Sequence, residues 1–422
     1  MSWTAILPTT SRPSKGTNKL DLRLAAGIAK KSGVPVRLWD DTFVFASANA
    51  QHRATIRIPN RATLWNLVAR PSSGFGEGYR DGSIKVDGDL AEVLAAGFTH
   101  AWDRKPRNRG APVMQRLADA IQVISRTRAR RNAEAHYGLG SEFYRPWLDS
   151  RMVYTCAYFP DRDASLEDAQ LAKLNLVCRK LGLREGDSVV ELGSGWGALA
   201  IHMAAQYGTR VRAFNICEEQ VEVARASARR AGVAGRVEFV AEDYREASGR
   251  FDAVVSVGML EHVGRKEYGR FGALVARLLR PDGRALVHTI GRHRRMPTNP
   301  WIRRRIFPGG YAASLGELRN VFEPNELAIL DIENLRRHYA LTLNHWRNRF
   351  ATARDQIVQQ HGAELARTWE LYLAASEASF ATGWSQLYQI VCAPASSNAI
   401  PWTRPTPIDL PALDPLSHTR GE

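Results

Sequence analysis

VVELGSGWGALA, residues 189–200, decides the fold. A β-branched apolar run ends in Glu191, turns through Gly193, Ser194, Gly195, Trp196 and Gly197, and enters an alanine-rich helical stretch. Glycine adopts positive φ without strain and lets a backbone approach a ligand closely. A turn of this kind, at the carboxyl end of a strand, is where open α/β sheets bind their ligands. The dinucleotide fingerprint is GxGxxG, with an acid closing the second strand. Here the spacing is GxGxG, an acid stands two residues before the first glycine, and the second strand closes on Asn215. Both departures favour S-adenosylmethionine over a nicotinamide cofactor.

Outward from the turn, strand and helix patterns alternate. SLEDAQLAKLNLVCRKLGL (165–183) reads as an amphipathic helix opened by a Ser–x–x–Asp box. RVRAFNI (210–216), RVEFVAED (236–243), FDAVVSVG (251–258) and RALVHTIG (284–291) read as strands, with helical runs between them. That succession predicts an α/β fold of the Rossmann-like, class I SAM-dependent methyltransferase type: a doubly wound, mostly parallel sheet with helices on both faces. In that geometry Gly193–Gly197 cradle the methionine and ribose parts, and Asn215 and Gln220 hydrogen-bond the ribose. Asp243 accepts from the adenine amino group while Tyr244 packs on the ring.

The 422 residues exceed one small domain. Residues 1–20, rich in Pro, Ser and Thr, read as a disordered arm; 21–105 as a smaller N-terminal α+β domain; 106–135 as linker and helix; 136–422 as the catalytic domain. Within the N-terminal part, 35–47 and 54–60 alternate like strands, while PSSGFGEGYRDGSIKVDGDL (71–90) reads as turn-rich. No apolar run approaches the roughly 20 residues of a membrane span, and the N-terminus lacks a secretory pattern, so the expectation is a cytoplasmic protein. Four scattered cysteines suggest neither zinc nor disulfides, and no metal site is expected. The net charge of +15 attracts polyanions, either nucleic acid or an anionic lipid surface.

HYGLGSEFYRPWLDSRMVYTCAYF (136–159), DYREASGRFDAVVSVGMLEHVG (243–264), LVHTIG (286–291), PWIRRRIFPGG (300–310) and HYALTLNHW (338–346) together resemble the cyclopropane-fatty-acyl-phospholipid synthases and their mycolic acid relatives. The N-terminal part, with RLWDDTFVF (37–45) and GEGYRDGSIKVDGDL (76–90), resembles the domain that the phospholipid-acting members carry and the mycolic acid enzymes lack. The resemblance implies adenosylmethionine contacts at Tyr154, Thr155, the 191–197 turn, the Asn215–Gln220 stretch and Asp243–Tyr244. It also implies a bound bicarbonate acting as general base, caged by Cys156 and Ile290 through their backbone and by Glu261, His288 and Tyr339. Gly138, Ser141 and Glu142 depart from the family's HYDxGNDF pattern, and Ser376 stands where some members have a cysteine.

Such chemistry explains the residue types. An alkene attacking a sulfonium methyl leaves a carbocation, and a proton must leave the new methyl before a ring closes. His288, Tyr339 and the Ile290 N–H can donate to a small anionic base, and Glu261 can accept from it or orient His288. Tyr158, Phe159, Trp301 and Tyr311 are candidates for an aromatic wall beside the cation. The same residues suit a fatty-acyl C-methyltransferase, and a non-catalytic lipid-binding relative is a further alternative.

The expected partner is unsaturated phospholipid at the inner membrane face, met by peripheral association, and the family suggests a homodimer. The stretch 292–310, with Arg292, Arg294, Arg295, Arg303, Arg304 and Arg305 among Trp301, Ile302, Ile306 and Phe307, is the expected docking loop. Nucleic acid is not expected, because no RNA-binding module accompanies the core.

Overall fold

The computed structural model describes residues 16–45, 54–102, 131–132, 136 and 138–402. Most of the arm read at 1–20, nearly all of the 106–135 linker and helix, and residues 403–422 lie outside the described residues.

Residues 16–102 form an α+β unit. Helix α1 (Lys19–Ser32) opens on Asn18, whose side chain and that of Asp21 make a reciprocal capping box, and closes on Gly33 at φ 72°. Strands β1 (Val36–Arg37), β2 (Phe43–Val44), β3 (Thr55–Arg57) and β4 (Lys85–Asp87) form a sheet in the order β2-β1-β3-β4. Helices α2 (Arg61–Ala69), α3 (Pro71–Asp81) and α4 (Leu90–Trp102) complete the unit around a core that includes Ala25, Val36, Ile56 and Leu64.

Helix α3 corrects the turn-rich reading of 71–90. Glycine in a helix costs about 1 kcal/mol against alanine, yet three glycines sit here because side chains would not fit. A Cβ on Gly74 would lie 2.8 Å from the Asn66 carbonyl oxygen, on Gly76 2.4 Å from the Trp301 ring, and on Gly78 2.6 Å from Ile84. Close packing overrides propensity, with Pro71 at the first turn and Gly82 at φ 84° punctuating the ends.

The second unit is a sheet in the order β11-β12-β9-β8-β5-β6-β7. Its strands are β5 (Ser188–Leu192), β6 (Arg210–Phe214), β7 (Val237–Val240), β8 (Phe251–Val257), β9 (Leu279–Arg292), β11 (Leu327–Asn334) and β12 (Gln386–Pro394), with β10 (Ala313–Ser314) beside β9. Strands β5 to β9 are mutually parallel, as the alternation predicts. The sequence reading stops at β9. Strand β12 enters antiparallel between β9 and β11. The strand order reverses at β5, which places the 193–197 turn at a topological switch point.

Three helices, Arg336–Thr352, Arg354–His361 and Ala363–Ala381, lie in the chain between β11 and β12. The last of them packs on α3 and α4 and so joins the two units. Paired charges fix the junction. Glu77 meets Arg305 in a bidentate pair at 2.8 Å and 2.8 Å, Asp89 meets Arg347 at 2.6 Å and 3.0 Å, and Arg80 bonds Glu364. Gly76→Leu forces a side chain into Trp301 at this junction. Overpacking costs about 1–3 kcal/mol, so calorimetry is expected to show a lower thermal midpoint. Gly27→Ala, whose Cβ meets nothing within 4 Å, is expected not to lower it.

Candidate active site

A cavity of about 180 Å³ lies over the end of β5. The turn below it has positive φ at Gly193, Gly195 and Gly197, and the Gly193 and Ser194 N–H groups both donate to Phe214 O at 3.0 Å. Tyr154, Thr155, Glu191, Gly193, Ser194, Gly195, Trp196, Asn215, Gln220, Asp243 and Tyr244 all line the cavity. Gly197 does not, which corrects its assignment. Its missing Cβ is a packing requirement, since a Cβ there would meet Ala224 and Phe239 at 2.7 Å. Gly195 is the opposite case, with nothing within 4 Å of its Cβ direction.

Two proposed ligand contacts are engaged within the protein. Asn215 Nδ2 donates to Gly195 O at 3.0 Å and to Gln220 Oε1 at 2.8 Å, while its Oδ1 accepts from the Cys217 N–H. Asn215 therefore holds the turn and orients Gln220 while also lining the cavity. The Asp243 carboxylate is gripped by the Arg245 guanidinium at 2.8 Å on each oxygen, an arrangement no local pattern announces.

Among the described residues, three buried polar atoms in the cavity walls have no partner: Glu191 Oε2, Ser194 Oγ and Gln220 Nε2. An acceptor, a hydroxyl and an amide donor suit the charged amino group and hydroxyls of adenosylmethionine. Lys173, missed by the sequence reading, donates to Thr155 Oγ1 at 3.0 Å. Burial pushes the Lys173 ammonium down and the Glu191 carboxyl up, while their mutual attraction opposes both shifts.

A second cavity, about 800 Å³ and mainly apolar, adjoins the first. Tyr154, Thr155, Gly258 and His262 line both cavities and mark where a group passes between them. His262, which carries no role in the sequence reading, stands in this shared wall. Gly258 has φ 69°, and a Cβ there would come within 2.9 Å of Thr155. Cys156, Glu261, His288, Ile290 and Tyr339 all line the larger cavity, although up to 183 residues separate them in the chain. Of the expected aromatic wall, Trp301 and Tyr311 are present. Tyr158 and Phe159 are not; their rings lie against His338, at 4.8 Å and 6.5 Å. Phe75, Phe98, Phe307, Tyr372 and Phe380 supply the wall instead.

Glu261 Oε1 accepts from the Ile290 N–H at 2.5 Å, and Oε2 is buried without a partner. The N–H assigned to the anion is thus engaged by Glu261. Burial raises the Glu261 carboxyl to about 7. Near neutrality it is therefore partly protonated and can donate to an anion instead of repelling it. Cys156 is fully buried, and burial pushes its thiol well up, so it offers no nucleophile.

Glu261 does not orient His288. Gln389, paired with His288 across β12 and β9, places its Nε2 at 3.2 Å from His288 Nδ1. The amide is itself oriented, because Gln389 Oε1 accepts from Lys180 Nζ at 2.8 Å, and Lys180 pairs with Glu333 at 2.5 Å. Gln389 must then donate to Nδ1, which assigns the imidazole proton to Nε2. Burial holds His288 far below its usual range, so it is a neutral donor. Gln389→Leu is expected to lower kcat about 10–100-fold, in line with the roughly 1–3 kcal/mol cost of leaving a buried hydrogen-bonding group unsatisfied, with KM for adenosylmethionine unchanged. Steady-state kinetics, with NMR of labelled histidine reporting the tautomer, would measure it.

Fold and site together define a SAM-dependent methyltransferase. Solved structures of this class align with the chain: the cyclopropane synthase MmaA2 from Mycobacterium tuberculosis at TM-score 0.60 and 27% identity, covering 63% of this chain and 98% of that one. Mycolic acid cyclopropane synthase CmaA1, complexed with SAH and CTAB, aligns at TM-score 0.60 and 28% identity, covering 62% and 97%. The chain belongs to the mycolic acid cyclopropane synthetase family, whose model matches residues 124–390, and residues 28–103 match a domain of unknown function, DUF7884. It is 34% identical to the cyclopropane-fatty-acyl-phospholipid synthase of Escherichia coli K12 over 83% of this chain and 91% of that protein. It is 36% identical to the tuberculostearic acid methyltransferase UfaA1 of M. tuberculosis over 75% and 77%.

Proposed function

We propose that this enzyme is a cyclopropane-fatty-acyl-phospholipid synthase, acting on the cis double bond of an unsaturated phospholipid acyl chain. The observation that carries the reading is the pair of cavities meeting at Tyr154, Thr155, Gly258 and His262, one over the glycine turn with Glu191, Ser194 and Gln220 in its walls, the other walled by aromatic side chains. Adenosylmethionine supplies the electrophilic methyl when bound. Glu191, Ser194 and Gln220 hold it through the three atoms that lack partners within the protein. The apolar cavity excludes water from the reacting carbons, and its aromatic faces stabilise positive charge on the chain.

Ring closure requires a proton acceptor that does not alkylate. The donors and acceptor at His288, Glu261 and Tyr339 fit a small oxyanion such as bicarbonate: a neutral imidazole N–H, a carboxyl protonated in part at neutral pH, and a phenol. These side chains hold that anion beside the shared wall. The second reading, a fatty-acyl C-methyltransferase, draws support from the similarity to UfaA1.

Among the described residues no helix is long and apolar enough to cross a membrane. The reading therefore has the enzyme meet lipid peripherally, at the cytoplasmic face. Labelled adenosylmethionine with unsaturated phospholipid vesicles tests turnover, and NMR of the product decides the reaction. High-field ring protons support the synthase, and a methyl or methylene signal supports the methyltransferase.

A further inference from the structure

The stretch 292–310 does not present the apolar anchors its sequence suggests. Trp301 and Ile306 are buried, Trp301 against Gly76. Arg305 is taken by Glu77, and Arg295 pairs with Glu317 at 3.4 Å. The lipid-facing surface has to be sought where the larger cavity opens.

Most residues lining that cavity are at least partly buried. The exposed ones are Arg23 and Lys31 on α1, Pro71 and Ser72 at the start of α3, and Pro297 and Asn299. They set the rim at the N-terminal unit. Ile56, Leu67, Phe75 and Val93 of the N-terminal unit line the same cavity as Glu261 and His288. The N-terminal unit thus forms the outer part of one continuous apolar passage.

The rim has a particular chemistry. Arg23, Gly27 and Lys31 recur every four residues on α1 and all line the opening. Each step of four residues is about 6 Å along a helix, so the two cations flank a notch at Gly27. A Cβ there would meet nothing within 4 Å. No described carboxylate pairs with Arg23 or Lys31. Two large apolar side chains stand exposed one turn from lining residues: Leu20 at 49%, a turn before Leu24, and Trp65 at 46%, a turn before Val68. Unpaired cations interleaved with exposed apolar groups suit an anionic headgroup layer.

We propose that the α1–α2 rim is the bilayer-docking surface, and that a phospholipid phosphate seats over Gly27 between Arg23 and Lys31 while its acyl chain enters the passage. The proposal rests on the lipid-modifying reading above. The phosphate fixes the headgroup at the mouth, so the depth from rim to shared wall determines which carbon of the chain meets the cofactor.

The test uses the full chain with vesicles of unsaturated phosphatidylglycerol, and with phosphatidylcholine vesicles as the neutral comparison. Sedimentation of Arg23→Ser/Lys31→Ser with phosphatidylglycerol at low salt is expected to fall about thirtyfold in affinity, with the loss shrinking as salt rises. Thermal midpoint and adenosylmethionine affinity are expected to match the parent, which excludes misfolding. Arg23→Lys/Lys31→Arg is expected to restore binding. Gly27→Phe, which keeps both charges and fills the notch, is expected to sediment with vesicles yet turn their lipid over more slowly. If the Ser double variant sediments like the parent, the surface is wrongly placed. If Gly27→Phe turns over vesicle lipid at the parent's rate, the phosphate does not seat there. A parent that modifies detergent-dispersed lipid but ignores anionic vesicles overturns the docking proposal and leaves the functional reading standing. A parent that modifies neither overturns the functional reading itself.

Discussion

Glu261→Gln is expected to lower turnover by about 10²–10⁴-fold, the usual contribution of a positioned proton-transfer group. Adenosylmethionine affinity should be unchanged, because Glu261 lines the larger cavity and not the cofactor cavity. The amide keeps an oxygen for the Ile290 N–H but replaces the unpartnered Oε2 with a fixed donor. Single-turnover kinetics beside titration calorimetry separate the two effects, and near-normal turnover would sink the assignment.

The same variant has a stability signature. Burial raises the Glu261 carboxyl from 4.5 to about 7, so the native state retains a proton that the unfolded state loses. A raised carboxyl favours folding fully below the unfolded value, and that contribution is lost as pH rises through the folded one. Glutamine has no such dependence. The thermal midpoint of Glu261→Gln relative to the parent should therefore climb between about pH 4.5 and 7 and level off above. The full span is at most about 3 kcal/mol. A difference that stays flat with pH would show that Glu261 is not held in its neutral form.

Gly195→Val is expected to abolish measurable adenosylmethionine binding while the fold survives. Gly195 sits at φ 52°, where a β-branched residue is strained by about 1–3 kcal/mol. Its Cβ direction meets no protein atom within 4 Å, and the residue lines the cofactor cavity, so the new side chain occupies ligand space. Gly193 and Gly197 are poorer tests. A Cβ on them strikes Met259 at 2.9 Å, or Ala224 and Phe239 at 2.7 Å, and would disturb packing first. Calorimetry on a variant with native circular dichroism decides, and unchanged affinity would overturn the cradle. Gly195→Ala, with one carbon and less strain, should fall between parent and valine.

The sequence by itself determined the strand–helix succession from 165 to 291 and the glycine turn with its place at a strand end. Those features are local. Hydrophobic period, caps and turn glycines act within a few residues, so a short window contains their cause. The Ser165 cap and the end of β5 at Leu192 fall where the pattern puts them.

Tertiary structure decided how those residues are used. Helix α3 carries glycines at 74, 76 and 78 because Asn66, Trp301 and Ile84 leave no room for side chains there, and Trp301 comes from the other unit. Asn215 and Asp243 are engaged by Gln220 and Arg245, which depends on how each loop closes. His288 takes its tautomer from Gln389, 101 residues away, through the register of β12 on β9. Arg305 is a fold contact and Arg23 a rim residue because of what lies opposite each, not because of the charge they share. Hydrogen bonds, ion pairs and cavities depend on which partners, near or distant in the chain, the fold brings together, and only the packed structure chooses among those a residue's chemistry allows.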